Sequence, residues 1–284
     1  PLWENQKQTL NLYRRSKIVF DTSDPGTGKT RGALESFADR RLNGGGCALV
    51  LCPKTLMESA WGGDIQKFVP HLEYCLAYSE NREEAFAQQV DIYITNTDAV
   101  RWLKKQPKSF FGRFDTLIVD EISYFKHRTS QRSKALNKIV KFFTYRSGMT
   151  GTPNPNSVSE LWHQAFILDG GERLGRSFFE FRAATQVATQ VGPRPNMVNW
   201  ADKPGAEVAV ASLLADISIR HQFDECMDIP PNHQTVVRFD LSPKLRAMYR
   251  EFEDRAILVL EQDEAVGVNA AVVRNKLLQI ASGS

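Results

Sequence analysis

The first half of the chain alternates short apolar runs with amphipathic helical segments, and this alternation constrains the fold more than any other feature. Short buried strands separated by helices are typical of a mostly parallel sheet that is covered on both faces. The sequence therefore predicts an α/β fold, with a doubly wound and mostly parallel sheet whose ligands bind at the carboxyl ends of the strands. The predicted strands are 17–22, 47–52, 73–78, 91–95, 116–119 and 146–149, and the predicted helices are 30–41, 56–68, 82–89, 97–105 and 134–143.

The second half has a different pattern, because helical segments predominate after Pro153. We expect residues 1–153 to hold the core of the fold and residues 154–284 to add a helical extension. The chain ends directly after a helix, which indicates a truncation. The predicted helices are 157–168, 178–186, 205–217, 242–262 and 269–280, with a Gly/Pro break at 191–195 and a strand at 235–241.

The composition is that of an ordinary globular protein. The chain has 284 residues, 42% of them hydrophobic, and a formal net charge of +3, which is too small to indicate a nucleic-acid partner by itself. No apolar run approaches the roughly 20 residues that span a bilayer, and the first residues do not resemble a signal peptide. The four cysteines form no C-x-x-C pair. We expect no membrane partner, and a cytoplasmic, nucleoid or nuclear location rather than secretion.

A glycine-rich segment, Ser23–Thr30, joins a predicted strand to a predicted helix. Its letters S-D-P-G-T-G-K-T match the phosphate-binding pattern G-x-x-x-x-G-K-[ST] except at the first position, where Ser23 replaces glycine. Gly26 and Gly28 allow the backbone to bend so that its N–H groups face phosphate oxygens. The alternative is a glycine turn that contains Gly-Lys-Thr by chance.

This loop predicts a site for ATP and Mg²⁺. The Lys29 ammonium would bind the β- and γ-phosphates, and the Thr30 hydroxyl would bind Mg²⁺. The start of the helix adds the positive end of its dipole. The predicted nucleotide-binding residues of the loop are Asp24, Pro25, Gly26, Thr27, Gly28, Lys29 and Thr30.

Two acidic residues directly follow a buried strand. Asp120 and Glu121 come after the apolar run 116–119, so they should lie at the carboxyl edge of the sheet. We assign Asp120 to Mg²⁺, mostly through water, as this hard cation prefers. We assign Glu121 as the general base for an attacking water, which is typically worth about 10²–10⁴ in rate. The alternative is that the two acids stabilise the following turn.

A third motif follows another buried strand. Residues 149–153 have the sequence M-T-G-T-P, and residues 160–162 have the sequence E-L-W. Together with the loop and the acidic pair, this combination resembles the Swi/Snf-type ATPases of helicase superfamily two, in the N-terminal of their two RecA-like lobes. Further segments that resemble the motifs of this family, in order, are 2–6, 50–53 with Trp61, 94–97, 120–123, 229–231 with 240–243, and 275–283.

The resemblance covers nearly the whole chain, but it covers only one of the two lobes that form the motor of this family. It implies a DNA-dependent ATPase that translocates on double-stranded DNA, with Gln6 recognising adenine. It also implies a second RecA-like lobe as a partner, which would carry an arginine finger worth about 10³–10⁵ in turnover. Without that lobe, we expect weak ATP binding and little hydrolysis. Ser123 stands where many helicases have histidine, and we expect this to alter coupling rather than to abolish activity.

The resemblance also implies which residues contact nucleic acid. Such contacts go mainly to phosphates, so they position the nucleic acid without selecting a base sequence. The alternatives are a solvated lysine at position 54 and a helix N-cap at 95–96. The residues assigned to nucleic acid are Pro53, Lys54, Thr55, Thr95, Asn96, Thr150 and Thr152, of which the last two are also placed to couple the nucleotide to the nucleic acid.

Other residues have two interpretations. The basic segment Lys126–Arg128, with Arg132 and Lys134, could contact nucleic acid or could be a solvated helix start. Trp61 is expected in the core, because tryptophan buries a large apolar area, although stacking is the alternative.

Three other functions are compatible with parts of the sequence. A strand-separating or branch-migrating helicase shares most of the motifs, but E-L-W after T-G-T-P favours the translocase. A nucleotide-gated interaction module without turnover would not require both pairs, Lys29 with Thr30 and Asp120 with Glu121. A small-molecule kinase is disfavoured by the T-G-T-P turn.

Overall fold

The computed structural model describes residues 2–154, 156–194, 197–226, 240–262 and 266–282. The chain divides into two compact units, residues 1–228 and residues 229–284. The first unit is an α/β domain with a parallel sheet between two layers of helices, which confirms the predicted fold class.

The described part of the chain contains a seven-stranded sheet in which every neighbouring pair is parallel. Its order is β3-β4-β2-β5-β6-β1-β9, so the chain crosses over between strands through helices. The strands are β1 (Ile18–Asp21), β2 (Cys47–Cys52), β3 (Tyr74–Ala77), β4 (Ile92–Asn96), β5 (Phe114–Asp120), β6 (Tyr145–Met149) and β9 (Ser218–Ile219). An antiparallel hairpin, β7 (Gln186–Gln190) with β8 (Val198–Asp202), lies outside this sheet.

The helices of the first unit are α1 (Glu4–Arg15), α2 (Lys29–Leu42), α3 (Gly63–Phe68), α4 (Arg82–Ala87), α5 (Val100–Leu103), α6 (Gln131–Ile139), α7 (Ser159–Asp169), α8 (Phe178–Thr185), α9 (Ala206–Leu214) and α10 (Phe223–Cys226). The predicted helix 56–68 is divided into a 3-10 turn, a π-helical stretch (Met57–Gly62) and α3.

Alternating residues of the central strands face two separate apolar layers. In β2, Leu49 and Leu51 pack into the layer formed with α5, α6 and α7, whereas Ala48 and Val50 pack into the layer formed with α1, α2 and α3. Both sets of side chains are fully buried. This explains why the strands are apolar at every position rather than at alternate positions.

Several elements differ from the sequence expectation. Helix α1 and the two-residue strand β9 were not predicted, and β9 extends the sheet beyond β1. The extension after Pro153 is not wholly helical, because Gln186–Gln190 and Val198–Asp202 pair as the strands β7 and β8, and the predicted Gly/Pro break lies between these strands in the sequence. The predicted strand 235–241 lies almost entirely outside the described residues, and its last two residues are not in a strand.

The second unit contains two long helices, α11 (Pro243–Gln262) and α12 (Val266–Ser282), which contact each other. An ion pair between Arg246 and Asp240 lies at the start of α11. Among the helices that the structure describes, none combines the length and the apolar character that a membrane crossing requires.

Candidate nucleotide site

The loop between β1 and α2 requires glycine at two positions. Gly26 and Gly28 have φ angles of 85° and 88°, in the left-handed region that favours glycine. A Cβ atom at Gly26 would lie 2.7 Å from the ring of Phe223, and one at Gly28 would overlap the amide of Gln6. The glycines of the predicted motif therefore meet a steric requirement as well as a conformational one.

The side chain of Lys29 lies back over the loop. Its Nζ donates hydrogen bonds to the backbone carbonyl oxygens of Ser23, at 2.7 Å, and Asp24, at 3.0 Å. The Asn5 amide donates to the Thr27 carbonyl oxygen at 2.9 Å, which ties α1 to the loop. The ammonium of Lys29 is thus positioned on the concave side of the glycine bend.

Gln6 lies against the loop. Its side chain is buried, and its Oε1 accepts hydrogen bonds from the Trp3 backbone N–H at 3.1 Å and from Arg31 at 3.3 Å. The position adjoins Gly28. Its role in adenine recognition stays a prediction.

A segment distant in sequence holds the loop from the other side. The His221 backbone N–H donates to Ser23 Oγ at 3.0 Å, and the Asp24 N–H donates to the His221 carbonyl oxygen at 2.9 Å. The Phe223 N–H donates to the Asp24 carboxylate at 3.1 Å. No motif marks this segment, so sequence analysis missed it; the pairing of β9 with β1 brings it to the loop.

The acidic pair lies at the carboxyl end of β5. Asp120 Oδ2 accepts a hydrogen bond from the indole N–H of Trp61 at 2.9 Å, and Oδ1 accepts one from the Glu121 N–H at 3.1 Å. Burial raises the pKa of Asp120, while the Trp61 bond and the charge of Lys29 oppose this rise. Trp61 is fully buried, as expected, and it also positions the carboxylate.

Glu121 is connected to the T-G-T-P segment. Among the described residues it is the one non-glycine with a positive φ, 55°, a conformation that is uncommon for glutamate and often found at functional sites. Its Oε2 accepts hydrogen bonds from Thr150 Oγ1 at 3.1 Å and from Ser123 Oγ at 3.4 Å. Thr150 Oγ1 also accepts from the Thr152 N–H at 3.2 Å.

The loop and the acidic pair lie at the same edge of the sheet. Strand β6 separates β1 from β5, so Asp21 and Asp120 both pair with Met149 at the carboxyl ends of their strands. The charge of Lys29 lowers the pKa of both aspartates, although burial raises each of them more. Lys29 and Asp120 are therefore within electrostatic reach of each other.

The donors at this edge fit Mg²⁺ bound together with phosphate. Mg²⁺ usually keeps several waters and takes one or two protein ligands, so it needs no cluster of carboxylates. In the described part of the chain no group of three His, Cys, Asp or Glu residues could hold a metal by itself. Thr30 and Asp120 are the residues that would hold the ion, and each Asp120 oxygen has a further lone pair free for a water.

The residues assigned to nucleic acid fall into two groups, five that are at least partly exposed and two that are buried. Lys54, Thr55 and Thr152 are exposed, whereas Pro53 and Asn96 are partly exposed at the ends of the neighbouring strands β2 and β4. Asn96 is the residue before a 3-10 turn, but its side chain makes no cap and accepts a hydrogen bond from Arg82 at 3.2 Å.

The structure corrects the assignment of Thr95 and Thr150 as surface contacts. Both side chains are fully buried. The Thr95 hydroxyl donates to the Ala77 carbonyl oxygen at 2.7 Å, which holds β4 to β3, and the Thr150 hydroxyl donates to Glu121. Thr95 therefore stabilises the sheet, and Thr150 is placed to act on Glu121 rather than on a phosphate.

Asp21 provides a test of the electrostatics beneath the loop. Its carboxyl group is fully buried, Oδ1 accepts the Ser23 N–H at 3.0 Å, and Oδ2 has no hydrogen-bond partner in the described structure. Burial raises the pKa of Asp21 above its value in the unfolded chain. The folded state therefore retains this proton longer, and the associated stability is lost as the pH rises through the folded pKa.

We expect Asp21→Asn to remove this pH dependence. As the pH rises above the ordinary aspartate pKa of 3.8, the free energy of unfolding of the variant should fall less than that of the unaltered chain, because no buried carboxylate forms. Urea unfolding at several pH values measures the difference, with Glu207→Gln, at an exposed position in the first turn of α9, as the control. Parallel curves for the Asp21→Asn variant and the unaltered chain would contradict the burial argument.

Fold and site together define a class, the RecA-like nucleotide-binding domains of helicase-like ATPases. The sequence matches the family model described as SNF2-related domain over residues 7–282. The chain therefore belongs to the SNF2-related domain family, as the motifs indicated, and has the fold of the N-terminal lobe.

Two relatives and one solved structure show the range of similarity. "Putative protein p41" of Acyrthosiphon pisum secondary endosymbiont phage 1 is 29% identical over 272 residues, which cover 91% of this chain and 58% of the relative. "ISWI chromatin-remodeling complex ATPase CHR11" of Arabidopsis thaliana is 25% identical over 287 residues, which cover 96% of this chain and 24% of the relative.

The solved structure "Sulfolobus solfataricus SWI2/SNF2 ATPase core in complex with dsDNA" has a TM-score of 0.62 and 22% identity, and covers 99% of this chain and 58% of that one. This likeness concerns the fold. The chain thus spans little more than half of the phage relative and about a quarter of the plant relative.

Proposed function

We propose that this chain is the N-terminal lobe of an ATP-dependent motor that translocates on double-stranded DNA and remodels DNA or protein–DNA complexes. The observation that carries the proposal is the position of Lys29 on one side, and of Asp120 and Glu121 on the other, at one edge of the sheet. Family membership supports the choice of substrate, as does the double-stranded DNA in complex with the Sulfolobus ATPase core.

Each residue has a defined part in this proposal. The backbone N–H groups around Gly26 and Gly28 and the ammonium of Lys29 bind the phosphates. Thr30 and Asp120 would hold Mg²⁺, which would neutralise phosphate charge when bound. The Glu121 carboxylate accepts the proton of the attacking water, and the hydroxyls of Ser123 and Thr150 orient it.

DNA would control hydrolysis through the T-G-T-P segment. Thr152 is exposed at the surface, its backbone N–H donates to Thr150, and Thr150 donates to Glu121. A shift of Thr152 on DNA binding would therefore move the hydroxyl that orients the base. Ser123, two residues after Glu121, donates a second hydrogen bond to this carboxylate and stands where many helicases have histidine.

The proposal is tested by ATP turnover in this chain and in a longer chain that carries the second lobe, each with and without duplex DNA. We expect little turnover from the 284-residue chain and DNA-stimulated turnover from the longer one, because the arginine finger is worth about 10³–10⁵. Vigorous DNA-stimulated turnover by the 284-residue chain would contradict the need for a second lobe. No turnover in either would favour the interaction module.

Two displacement reactions of the longer chain distinguish the proposed translocase from a strand-separating helicase. A translocase removes a third strand from a triplex while leaving the duplex intact, whereas a helicase separates the duplex. If strand separation is the main reaction, the protein is a helicase and the proposed translocation is wrong. DNA affinity in either case should fall steeply with salt and depend little on base sequence.

A further inference from the structure

Two arginines and three aromatic residues form an aromatic–arginine cluster, which comprises Arg128, Phe178, Phe179, Arg182 and Trp200. The Arg128 guanidinium lies 4.8 Å from the ring centre of Phe178 and 4.9 Å from that of Phe179. The Arg182 guanidinium lies 5.3 Å and 5.9 Å from the same two rings, and 3.9 Å from the ring of Trp200. Both guanidiniums therefore lie within 6 Å of the centres of the same two rings.

The two positive charges of this cluster are not neutralised by acidic side chains. Within the described parts of the chain, no carboxylate lies at ion-pair distance from Arg128 or Arg182, whereas nearby Lys126 pairs with Glu160 at 2.9 Å. Like charges that share one pair of rings repel each other. An anion between or beside them would relieve this repulsion and form charge-assisted hydrogen bonds with the guanidinium forks.

A cavity of about 320 Å³ adjoins this cluster. Residues 126–129 and the start of α7 line it, and Arg128 and Phe178 belong to both the cavity and the cluster. Glu160 is the acidic residue in its lining. One of its carboxylate oxygens accepts from Lys126, and the other has no hydrogen-bond partner in the described structure. The cavity therefore combines the cations Lys126 and Arg128 with a carboxylate that already accepts a hydrogen bond from Lys126.

The hairpin that supplies Trp200 is fastened to the T-G-T-P side of the molecule. The Asp202 carboxylate, at the base of the hairpin, accepts hydrogen bonds from Ser157 Oγ at 2.8 Å, from the Val158 N–H at 2.9 Å and from Gln186 at 2.8 Å. These bonds lower the pKa of Asp202 although burial opposes them. Residues 157–158 follow the T-G-T-P segment after three intervening residues, so the hairpin is hydrogen-bonded to the chain that leads back to Thr150.

We propose that the aromatic–arginine cluster and the adjoining cavity are an additional contact for the nucleic-acid backbone. Arg128 and Arg182 bind phosphates, and the aromatic rings hold the guanidiniums in place, which reduces the entropy lost on binding. Two separate guanidiniums suit successive phosphates of a polyanion better than a single free phosphate. The contact is sequence-independent and rests on the proposed function, since it assumes that the chain binds DNA.

The test is the salt dependence of binding of a fluorescent random-sequence duplex to the 284-residue chain and to its Arg128→Gln/Arg182→Gln variant. Loss of two phosphate contacts should reduce the slope of log affinity against log salt by about 2, and should weaken binding roughly 50-fold at about 0.1 M salt. The control is Lys141→Gln, a cation beside Phe142 near the amino end of β6, which should change affinity less than twofold.

A second measurement uses the unaltered chain and does not depend on the folding of the variant. An arginine-specific dicarbonyl reagent is applied with and without duplex DNA, and modified peptides are quantified by mass spectrometry. DNA should protect Arg128 and Arg182 but not Arg15, which is exposed at the end of α1 near the amino edge of the sheet. Added inorganic phosphate at equal ionic strength should protect much less than DNA.

The outcomes distinguish this inference from the proposed function. If the unaltered chain binds duplex DNA and the double variant has the same salt slope, with no protection of Arg128 and Arg182, the additional contact is wrong and the motor proposal stands. If the unaltered chain binds no DNA at any salt, both are overturned. Equal protection by phosphate and DNA would show a site for free anions and would also overturn the inference.

Discussion

Replacement of Lys29 by alanine is expected to weaken ATP binding at least about 100-fold, because each charge-assisted hydrogen bond to a phosphate is worth about 1.5–3 kcal/mol. In the structure the Lys29 ammonium already lies on the concave side of the glycine bend, held by the carbonyl oxygens of Ser23 and Asp24. The ammonium can exchange these two neutral acceptors for charged phosphate oxygens without moving to another part of the fold. Titration calorimetry with Mg·ATP measures the change.

The control for this variant is Lys17→Ala. Lys17 is exposed and precedes β1, at the opposite end of the strand from the loop, so its loss removes the same charge far from the site. ATP affinity should change less than twofold in the control. Equal ATP affinity in the Lys29→Ala variant and the unaltered chain would mean that the glycine loop does not bind the triphosphate.

Replacement of Glu121 by glutamine is expected to leave ATP binding within about twofold and to reduce turnover by about 10²–10⁴. The amide cannot accept a proton from water, yet its oxygen can still accept the hydrogen bonds that Thr150 and Ser123 donate to the carboxylate. The substitution also keeps the size of the side chain in its left-handed backbone position. Turnover is measured with duplex DNA in the longer chain that carries the second lobe.

The matched control is Glu73→Gln, an exposed carboxylate just before β3, which should not change turnover. Two outcomes are informative. Unchanged turnover in the Glu121→Gln variant would show that another group takes the proton. Loss of both binding and turnover would assign Glu121 to nucleotide binding rather than to proton transfer.

The parts of the fold that could be predicted are those encoded over a few residues. The apolar strands 47–52 and 116–119 were located correctly because burial on both faces leaves an uninterrupted apolar run. The glycine loop was located because a left-handed bend requires glycine at positions 26 and 28. The acidic pair followed from its place directly after a buried strand.

The parts that could not be predicted depend on residues far apart in the chain. The hydrogen bonds from 221–223 to the loop span almost 200 residues and involve mostly backbone atoms, which leave no trace in the sequence. Trp61 was correctly expected to be buried, but its bond to Asp120 at the end of β5 follows from the packing of the π-helical stretch against β3 and β4. Thr95 belongs to a segment that resembles a nucleic-acid-binding motif, but it lies within β4, where its hydroxyl donates a hydrogen bond to the backbone of β3.

In the proposed motor, the glycine loop and the acidic pair bind one Mg·ATP together. The most direct test replaces Mg²⁺ by Fe²⁺ in the ATP complex and uses ascorbate with hydrogen peroxide to cut the backbone near the metal. Cuts are expected in both 26–30 and 119–122, separated by about 90 residues in sequence, and they should require ATP and disappear in the Lys29→Ala variant. Cuts confined to one of these segments, or unchanged by omission of ATP, would contradict this joint binding.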